Sequence, residues 1–230
     1  MKNEFVKVQN ALKFSSAYKM TEQRSEGIPG MGLLYGAPGY GKTSAAIWLI
    51  NLVDGIYVRA NAFWTPTSMM TALLEEMQMT PLRSCAKMLE KVIELVETHQ
   101  RPLFIDEADY LLAMPRMLEA LRDIHDCTGV PIWLIGMDGI ERELSHLKKI
   151  TRRISQWVEF NPCCLQDTAL LTKKLCEITV TEELQAKLHT QANGSIGLIT
   201  LGLSHIEAEA KRQKWKTIDA DQWGNRPFFL

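Results

Sequence analysis

The sequence of 230 residues has no apolar run that approaches the ~18 residues needed to cross a bilayer. Residues 1–14 lack the apolar core and the small-residue cleavage site of a signal peptide. Internal repeats and low-complexity segments are also absent. We therefore expect neither a membrane partner nor a secreted or repetitive protein.

Cysteine is scarce, and its five residues stand at irregular positions with no Cys-x-x-Cys pair. Only Cys163 and Cys164 are adjacent, so neither a disulfide framework nor a zinc site is expected. The five histidines also lack the spacing of metal ligands. Reduced thiols in a cytoplasm are the simplest interpretation of these cysteines.

Neither sign of charge is in excess, because 26 basic and 27 acidic residues give a net charge of −1. No global field therefore steers the protein toward nucleic acid, and any DNA-binding surface has to be a local patch. Hydrophobic residues make up 46% and charged residues 23% of the chain. This composition is typical of a folded globular protein.

Short apolar runs alternate with longer amphipathic segments along residues 1–160. The alternation predicts an α/β fold with a parallel sheet and helices on both faces, and near-continuous apolar strands fit burial on both sides. The predicted strands are 31–35, 56–58, 103–105, 132–135 and 158–160, and the predicted helices are 3–20, 42–53, 66–78, 82–98 and 111–127.

After residue 160 the pattern becomes helical throughout. We therefore predict an α/β core over residues 1–160, which includes the N-terminal helix 3–20, and a small all-helical domain over residues 161–230. Thr179 and Glu182 have the spacing of a capping box at a helix start. The predicted helices of this domain are 166–177, 182–192 and 196–213.

A glycine-rich segment follows the first predicted strand and matches the pattern G-x-x-x-x-G-K-[ST] at every fixed position. Its glycines let backbone N–H groups close around phosphates, and the next helix directs its positive end there. Lys42 is expected to contact the β- and γ-phosphates of ATP, and Thr43 to bind Mg²⁺. A chance match in a glycine-rich turn is disfavoured, since a strand precedes the segment and a helix follows it. The expected nucleotide-binding residues are Gly36, Ala37, Pro38, Gly39, Tyr40, Gly41, Lys42, Thr43 and Ser44.

The apolar run 103–105 ends in two acidic residues, Asp106 and Glu107. In a parallel sheet this strand end lies beside the glycine-rich loop. Asp106 is then expected to hold Mg²⁺ through water, and Glu107 to orient the attacking water. An apolar run followed by Asp-Glu is common on its own, and the loop upstream is what favours this interpretation. Asp109 is either a third acid of the site or a solvated helix start.

Residues 36–43 and 103–109 together resemble the AAA+ ATPases, in which a proline commonly lies in the phosphate loop. The resemblance covers essentially the whole chain and implies a P-loop AAA+ core followed by a helical lid. It also implies ATP and Mg²⁺ as cofactors. The two helices predicted between the second strand and the acidic strand resemble the initiator and helicase-loader group of that superfamily.

Four further segments resemble a narrower group, the transposition regulators that include the phage Mu B protein, TnsC and, more distantly, IstB. In that group ATP-bound subunits assemble on DNA and recruit a transposase. The resemblance implies double-stranded DNA, a transposase and further copies of this chain as partners, in a ring or a helical filament. It also implies a bacterial or phage-encoded protein. The segments are 104–111, 118–124, 130–137 and 152–154.

Four residues stand where AAA+ proteins sense nucleotide or reach a neighbouring subunit. Arg152 and Arg153 precede the last strand, where the family places an arginine finger for the neighbour's γ-phosphate. Arg153 is slightly preferred, and a solvated basic turn is the alternative. Asp138 is at the sensor position, where a carboxylate acts only through water. Gly197 replaces an arginine that many relatives carry, so weak lid coupling and slow hydrolysis are expected.

Candidate DNA contacts are weaker than the nucleotide motifs. Thr65, Thr67 and Ser68 lie in a region that lines the DNA-facing channel of initiator-like relatives, and their side chains can donate hydrogen bonds to phosphates. Lys148 and Lys149 are candidate phosphate contacts, with a solvated turn as the alternative.

Two neighbouring segments have open roles. Phe63 and Trp64 are interpreted as core residues, with DNA contact as the alternative. The basic run 211–216 is interpreted as a solvated helix face that Glu207 and Glu209 balance.

Three functions follow from the sequence. The preferred one is an ATP-dependent DNA-binding regulator of transposition that oligomerises on target DNA. The second is a helicase loader or replication initiator. The third is an AAA+ ATPase that acts on a protein client.

Overall fold

The computed structural model describes residues 1–229, and its largest sheet has five strands. In chain order they are β1 (Met31–Gly36), β2 (Ile56–Arg59), β3 (Leu103–Asp106), β4 (Ile132–Ile135) and β5 (Ile154–Phe160). They lie in the order β2-β3-β4-β1-β5, and the ladders β2–β3, β3–β4 and β4–β1 are parallel. The predicted α/β fold is confirmed.

Helices fill the segments between these strands and most of the chain beyond them. The first begins at Gln9 and not at residue 3, because the chain before it is held elsewhere, with the N–H of Lys2 bonded to the carbonyl of Leu175 at 2.8 Å. A 3-10 helix, Ala108–Ala113, precedes α5. The α-helices are α1 (Gln9–Glu22), α2 (Lys42–Val53), α3 (Pro66–Glu76), α4 (Cys85–His99), α5 (Pro115–Thr128), α6 (Ile140–His146), α7 (Lys148–Thr151), α8 (Leu165–Leu175), α9 (Glu182–Ala192), α10 (Ile196–Arg212) and α11 (Ala220–Trp223).

One face of the sheet packs against α3, α4 and α5. Ile105 and Leu134 are neighbours in the β3–β4 register. Because side chains alternate along a strand, both point to this face of the sheet. They join one continuous buried cluster with Leu73, Val92 and Leu121 from the three helices. Burial of this apolar surface, at about 25 cal/mol per Å², is what fixes the three helices on the sheet.

The opposite face carries two large rings that α1 covers. Phe104 and Trp133 are neighbours in the β3–β4 register, and both are fully buried. Phe14 meets Trp133 edge-on at 4.9 Å between centroids, and Tyr18 stacks on Phe104 at 6.0 Å. Gly32 lies beside Trp133 in the register, and a Cβ there would be 2.5 Å from the indole. A glycine on β1 therefore makes room for the tryptophan on β4.

The segment before the last strand differs from the prediction. β5 begins at Ile154 rather than at residue 158, because partly polar residues such as Gln156 continue the strand and interrupt its apolar pattern. The preceding segment forms the short helices α6 and α7, and the sequence analysis predicted neither of them. Ile140, Leu144 and Ile150 are buried and anchor these short helices.

The predicted helical region at the C-terminal end is confirmed, and the structure adds a short parallel ladder to it. This ladder joins β6 (Thr179–Val180) to β7 (Thr217–Ile218). The capping box predicted for Thr179 and Glu182 is wrong, because Thr179 pairs in the ladder and Thr181 is the N-cap of α9.

The chain forms two compact units. The sheet unit comprises Lys13–Gly36 and Lys42–Glu159, and the helical unit comprises Met1–Leu12, Ala37–Gly41 and the chain from Phe160 onward. Within the helical unit, Asn10 Nδ2 donates to the carbonyl of Asn161 at 2.7 Å, and the N–H of Gln9 donates to Asp167 at 3.0 Å. The division into functional domains 1–160 and 161–230 stays a prediction. No helix within residues 1–229 combines the length and hydropathy of a membrane span.

Candidate active site

Asp106 is the centre of a group of polar side chains at the carboxyl end of β3. It is 3% exposed, and three donors satisfy its carboxylate. The hydroxyls of Thr43 and Tyr57 donate to Oδ2 at 3.2 and 2.8 Å, and the N–H of Glu107 donates to Oδ1 at 2.9 Å. The structure therefore brings the predicted Thr43, Asp106 and Glu107 together.

Two residues of β2 join this group, and sequence analysis missed both. Burial and the hydrogen bond to Asp106 raise the pKa of Tyr57, so its phenol stays protonated and remains a donor. Arg59 lies beside Asp106 in the β2–β3 register, and its Nη2 is 2.9 Å from Glu107 Oε1. The sequence marks these two residues only as the end of a predicted strand. It does not show that this strand pairs with β3.

Glu107 has an unusual backbone conformation. Its φ of 55° lies in the left-handed region, which costs a non-glycine residue ~1–3 kcal/mol and is found at functional sites. Its side chain is 27% exposed, and that of Arg59 is 64% exposed. Solvent screens an ion pair this exposed, so it holds the two side chains only weakly. Arg59 therefore orients the Glu107 carboxylate without fixing it permanently.

Lys42 places a buried cation beside these acids. It is 9% exposed, and its Nζ donates to the carbonyl of Gly36 at 2.6 Å. Burial lowers the pKa of Lys42, and nearby carboxylates oppose that shift. In decreasing order of effect, these carboxylates are Asp106, Asp109, Glu107 and Asp138. Lys42 is thus a desolvated cation, which attracts phosphate more strongly than a lysine in water does.

The glycine-rich loop connects β1 to α2. Gly36, Gly39 and Gly41 have φ of 142°, 82° and 85°, values that L side chains rarely adopt. Such a loop turns successive N–H groups to one side and makes an anion-binding concavity. These three glycines therefore adopt conformations of the kind that a phosphate-binding loop uses, and the role of segment 36–44 stays a prediction.

A divalent cation at this site would need ligands from outside the protein. Within residues 1–229, no group of three or more His, Cys, Asp or Glu side chains has the arrangement to hold a metal ion. The oxygens of Thr43 and Asp106 are 3.2 Å apart, close enough for one cation to contact both. Mg²⁺ usually binds in this way, through one or two protein ligands together with phosphates and water.

Asp109 lies in the 3-10 helix, and Asp138 lies in the loop after β4. The two carboxylates occupy different environments. Asp109 accepts a hydrogen bond from the N–H of Met137 at 2.9 Å, so it ties the 3-10 helix to the loop after β4. Asp109 also lies close enough to Lys42 to raise the pKa of that lysine, and its role as a third acid of the site stays a prediction. Asp138 is exposed, and its sensor role stays a prediction.

Arg152 and Arg153 differ sharply in the structure. Arg153 forms a two-point ion pair with Asp126, with Nε–Oδ1 and Nη2–Oδ2 distances of 2.6 and 2.9 Å. The bond from Arg153 lowers the pKa of Asp126. Arg152 is exposed and has no ion pair among the described residues. Between the two, the structure favours Arg152 for contact with another molecule, contrary to the sequence preference for Arg153.

The candidate DNA contacts near α3 are also unequal. Thr65 and Ser68 cap this helix, since Thr65 Oγ1 accepts from the N–H of Ser68 at 3.2 Å and Ser68 Oγ accepts from that of Thr65 at 2.6 Å. Both hydroxyls thus serve the helix start, whereas no hydrogen bond in the described residues uses the side chain of Thr67; Thr65 and Thr67 are both exposed. The core role expected for Phe63 is wrong, because it is 92% exposed. Trp64 packs against the core as expected.

The basic candidates divide in the same way. Lys149 lies 3.5 Å from Glu119, while Lys148 is exposed without an ion pair in the described part of the chain. Within the run 211–216, Lys211 lies 2.7 Å from Glu207 and Arg212 lies 2.6 Å from Glu209. Acidic neighbours therefore balance the start of that run, as the sequence interpretation held.

More than half of the chain, residues 26–144, matches the protein family described as AAA domain. No curated protein matches the chain in sequence.

Many solved structures are similar to the chain. Cdc6p of Pyrobaculum aerophilum has 16% identity and a TM-score of 0.65 over 91% of this chain and 63% of its own. ORC1 of Aeropyrum pernix, in complex with DNA, has 16% identity and a TM-score of 0.64 over 93% and 62%. The RuvB Holliday junction branch migration motor of Thermotoga maritima has 18% identity and a TM-score of 0.61 over 95% and 67%.

The chain thus spans less than two thirds of the length of the first two structures. At these identities the similarity establishes the fold alone. It confirms a P-loop α/β core of the AAA+ type followed by a helical region.

Removal of the Tyr57 hydroxyl tests how the acid is held. Tyr57→Phe should lower the free energy of unfolding by about 1–3 kcal/mol, because a buried carboxylate loses one charge-assisted donor. Urea unfolding measures the change. Tyr110→Phe is the matched control, since Tyr110 is 44% exposed and its substitution should be neutral. Equal stability of Tyr57→Phe and wild type would contradict the bond to Asp106.

Proposed function

This chain belongs to the AAA domain family, and on that premise we propose that it is an Mg²⁺-dependent ATPase that assembles on double-stranded DNA and regulates a DNA transposase. The observation that carries the ATPase part is the convergence of Lys42, Thr43, Asp106 and Glu107 at one edge of the sheet. The transposition part rests on the sequence resemblance of residues 104–111 and the three segments named with them. We place the protein in the cytoplasm of a bacterium or as a phage product.

We assign each residue of the site a role in phosphoryl transfer to water. The N–H groups of residues 36–44 and the desolvated Lys42 would bind the phosphates. Thr43 and Asp106 would hold Mg²⁺, whose chemistry is to neutralise charge on the phosphate oxygens. Glu107 is partly exposed and would orient the attacking water once it leaves Arg59. Tyr57 keeps Asp106 in place for its ligand role.

Two substitutions separate nucleotide binding from hydrolysis. Lys42→Ala should abolish ATP binding, because the cation for the β- and γ-phosphates is lost. Glu107→Gln keeps the shape of the side chain and should retain binding, while it lowers ATP turnover by ~10²–10⁴-fold, the usual contribution of a positioned base. Isothermal titration with ATP and a phosphate-release assay measure the two effects. Unchanged turnover in Glu107→Gln would assign the water to another residue.

A neighbouring subunit would complete the site through Arg152. Its exposed guanidinium can contact the γ-phosphate of ATP on the next copy with two parallel N–H donors. Arg153 is committed to Asp126, so we assign it an anchoring role at the turn after α7. ATP would then connect subunits into a ring or helical filament.

Complementation between two defective variants tests this contact. Arg152→Ala should lower assembly-dependent turnover by ~10³-fold or more, as loss of an arginine finger does. A mixture of Arg152→Ala and Lys42→Ala subunits should recover part of the activity, because one partner supplies ATP and the other supplies Arg152. Arg153→Gln is the control and should retain turnover within about tenfold of wild type. Failure of the mixture to recover activity would rule out a contact in trans.

Contact with DNA is proposed for two exposed side chains of the sheet unit. Phe63 stands at the tip of a turn that Asn61 stiffens, since Asn61 Oδ1 accepts from the N–H of Phe63 at 3.0 Å. An exposed ring on such a turn is suited to insertion between base steps or stacking on bases. Lys148 is a free cation for a phosphate.

DNA binding should respond differently to these two residues. With a non-hydrolysable ATP analogue, Lys148→Ala should weaken binding to duplex DNA and reduce the slope of log K against log [salt] by about 1. Phe63→Ala should weaken binding with an unchanged slope. Fluorescence anisotropy across a salt series measures both. Lys87→Ala, another exposed lysine, is the matched control, and an equal effect there would contradict a specific surface.

A replication initiator or helicase loader is the second candidate, and the similarity to Cdc6p and to ORC1 in complex with DNA supports it. Both candidates share ATP-dependent assembly on DNA and differ in the partner. Co-purification of the ATP-bound assembly with a transposase supports the first, and with a replicative helicase the second. A transposase gene beside the gene for this chain would likewise support the first candidate, and a helicase gene the second. Lack of DNA affinity at ~50 mM salt, where electrostatic contacts are strongest, would point to a protein client instead.

A further inference from the structure

The first turn of α10 contacts the phosphate loop with three consecutive residues. The N–H of Gly197 donates to the carbonyl of Gly39 at 3.1 Å, and Ser195 Oγ donates to the same carbonyl at 3.4 Å. A Cβ at Gly39 would lie 2.6 Å from Ser195 Oγ, and one at Gly41 would lie 3.4 Å from Ile196 Cδ1. The helix start and the loop are therefore in close contact.

We propose that the first turn of α10 is a positioning element that sets the phosphate loop for nucleotide through the carbonyl of Gly39. This inference rests on the ATP binding proposed above. A trans peptide is planar and its C=O and N–H point in opposite directions. With the Gly39 carbonyl held toward Gly197 and Ser195, the N–H of Tyr40 points away from α10 and is preset as a phosphate donor.

The geometry of the helix start supports this role. The first four N–H groups of an α-helix have no partner inside the helix, so the N–H of Gly197 is available to the loop at no cost to α10. Ser195 is the N-cap, and its Oγ also accepts from the N–H of Leu198 at 3.4 Å. One residue thus both starts the helix and holds the loop.

This contact gives Gly197 a role that the sequence analysis did not predict. Its lack of an arginine led us to expect weak coupling between the helical region and nucleotide. The structure provides a main-chain contact at the same residue. Because the donor is a backbone N–H, any residue except proline supplies it, and a Cβ at Gly197 would meet Gly39 only at ordinary distances of 3.8 and 3.9 Å.

Two substitutions of one residue therefore separate the hydrogen bond from the side chain. Gly197→Pro removes the N–H within the first helical turn, where proline is tolerated, and Gly197→Ala retains it. Isothermal titration with Mg-ADP should give about 2- to 10-fold weaker binding for Gly197→Pro, the contribution of one hydrogen bond, and wild-type affinity for Gly197→Ala. The 15N chemical shift of the Tyr40 amide reports hydrogen bonding at the Gly39 carbonyl of the same peptide unit, and without nucleotide it should change in Gly197→Pro and not in Gly197→Ala.

Ser195→Gly is the second variant, in case Gly197→Pro lowers the thermal stability. It removes the other donor to Gly39 and costs the helix cap only a few tenths of a kcal/mol, and it should also weaken Mg-ADP. Equal affinity in wild type, Gly197→Pro and Ser195→Gly overturns the inference while ATP binding stands. If the wild type itself fails to bind Mg-ADP or Mg-ATP, the proposed function fails. The 15N chemical shift of the Tyr40 amide then still decides whether α10 holds the loop, and an unchanged shift in both Gly197→Pro and Ser195→Gly overturns that as well.

Discussion

The buried carboxylate of Asp106 is the interaction on which the rest of the site depends. A desolvated anion without partners costs several kcal/mol, so the fold has to hold donors against it. These donors come from three segments, with Thr43 at the start of α2, Tyr57 on β2 and the N–H of Glu107 after β3. Displacement of any one segment breaks a bond to a buried charge. The acid therefore fixes both the helix after the phosphate loop and the adjacent strand.

The same buried acid explains why its neighbours remain adjustable. Lys42 is desolvated yet surrounded by carboxylates, and its bond to the carbonyl of Gly36 is one that a phosphate oxygen can replace. Glu107 is held by an ion pair with Arg59 that is largely exposed to solvent and therefore weak. Binding of a charged nucleotide can release the carboxylate at small cost, whereas Asp106 stays fixed.

The sequence predicted those features of the fold and of the site that depend on contiguous residues. The apolar strands, the phosphate loop and the Asp106-Glu107 strand end are contiguous segments, and the structure places them as the α/β pattern requires. Tyr57 and Arg59 could not be found in this way, because their role depends on the pairing of β2 with β3 across about fifty residues of chain. Phe63 was misplaced because an aromatic residue usually gains from burial, and no local pattern marks a ring that a turn holds in solvent. The capping box predicted at Thr179 is wrong because Thr179 pairs with a distant strand, which the local sequence does not indicate.

The adjacent pair Arg152 and Arg153 shows how structure divides two residues that sequence cannot tell apart. If Arg153 left Asp126 to reach a phosphate, a carboxylate that is 34% exposed would lose two charge-assisted bonds. That carboxylate would keep only a 4.0 Å contact with Arg122, and its negative charge would repel the incoming phosphate. Arg152 carries neither cost, since it is exposed and its neighbour is already anchored. Arg153 therefore fixes the turn, and Arg152 extends from it into solvent. This division of roles does not depend on which anion Arg152 binds.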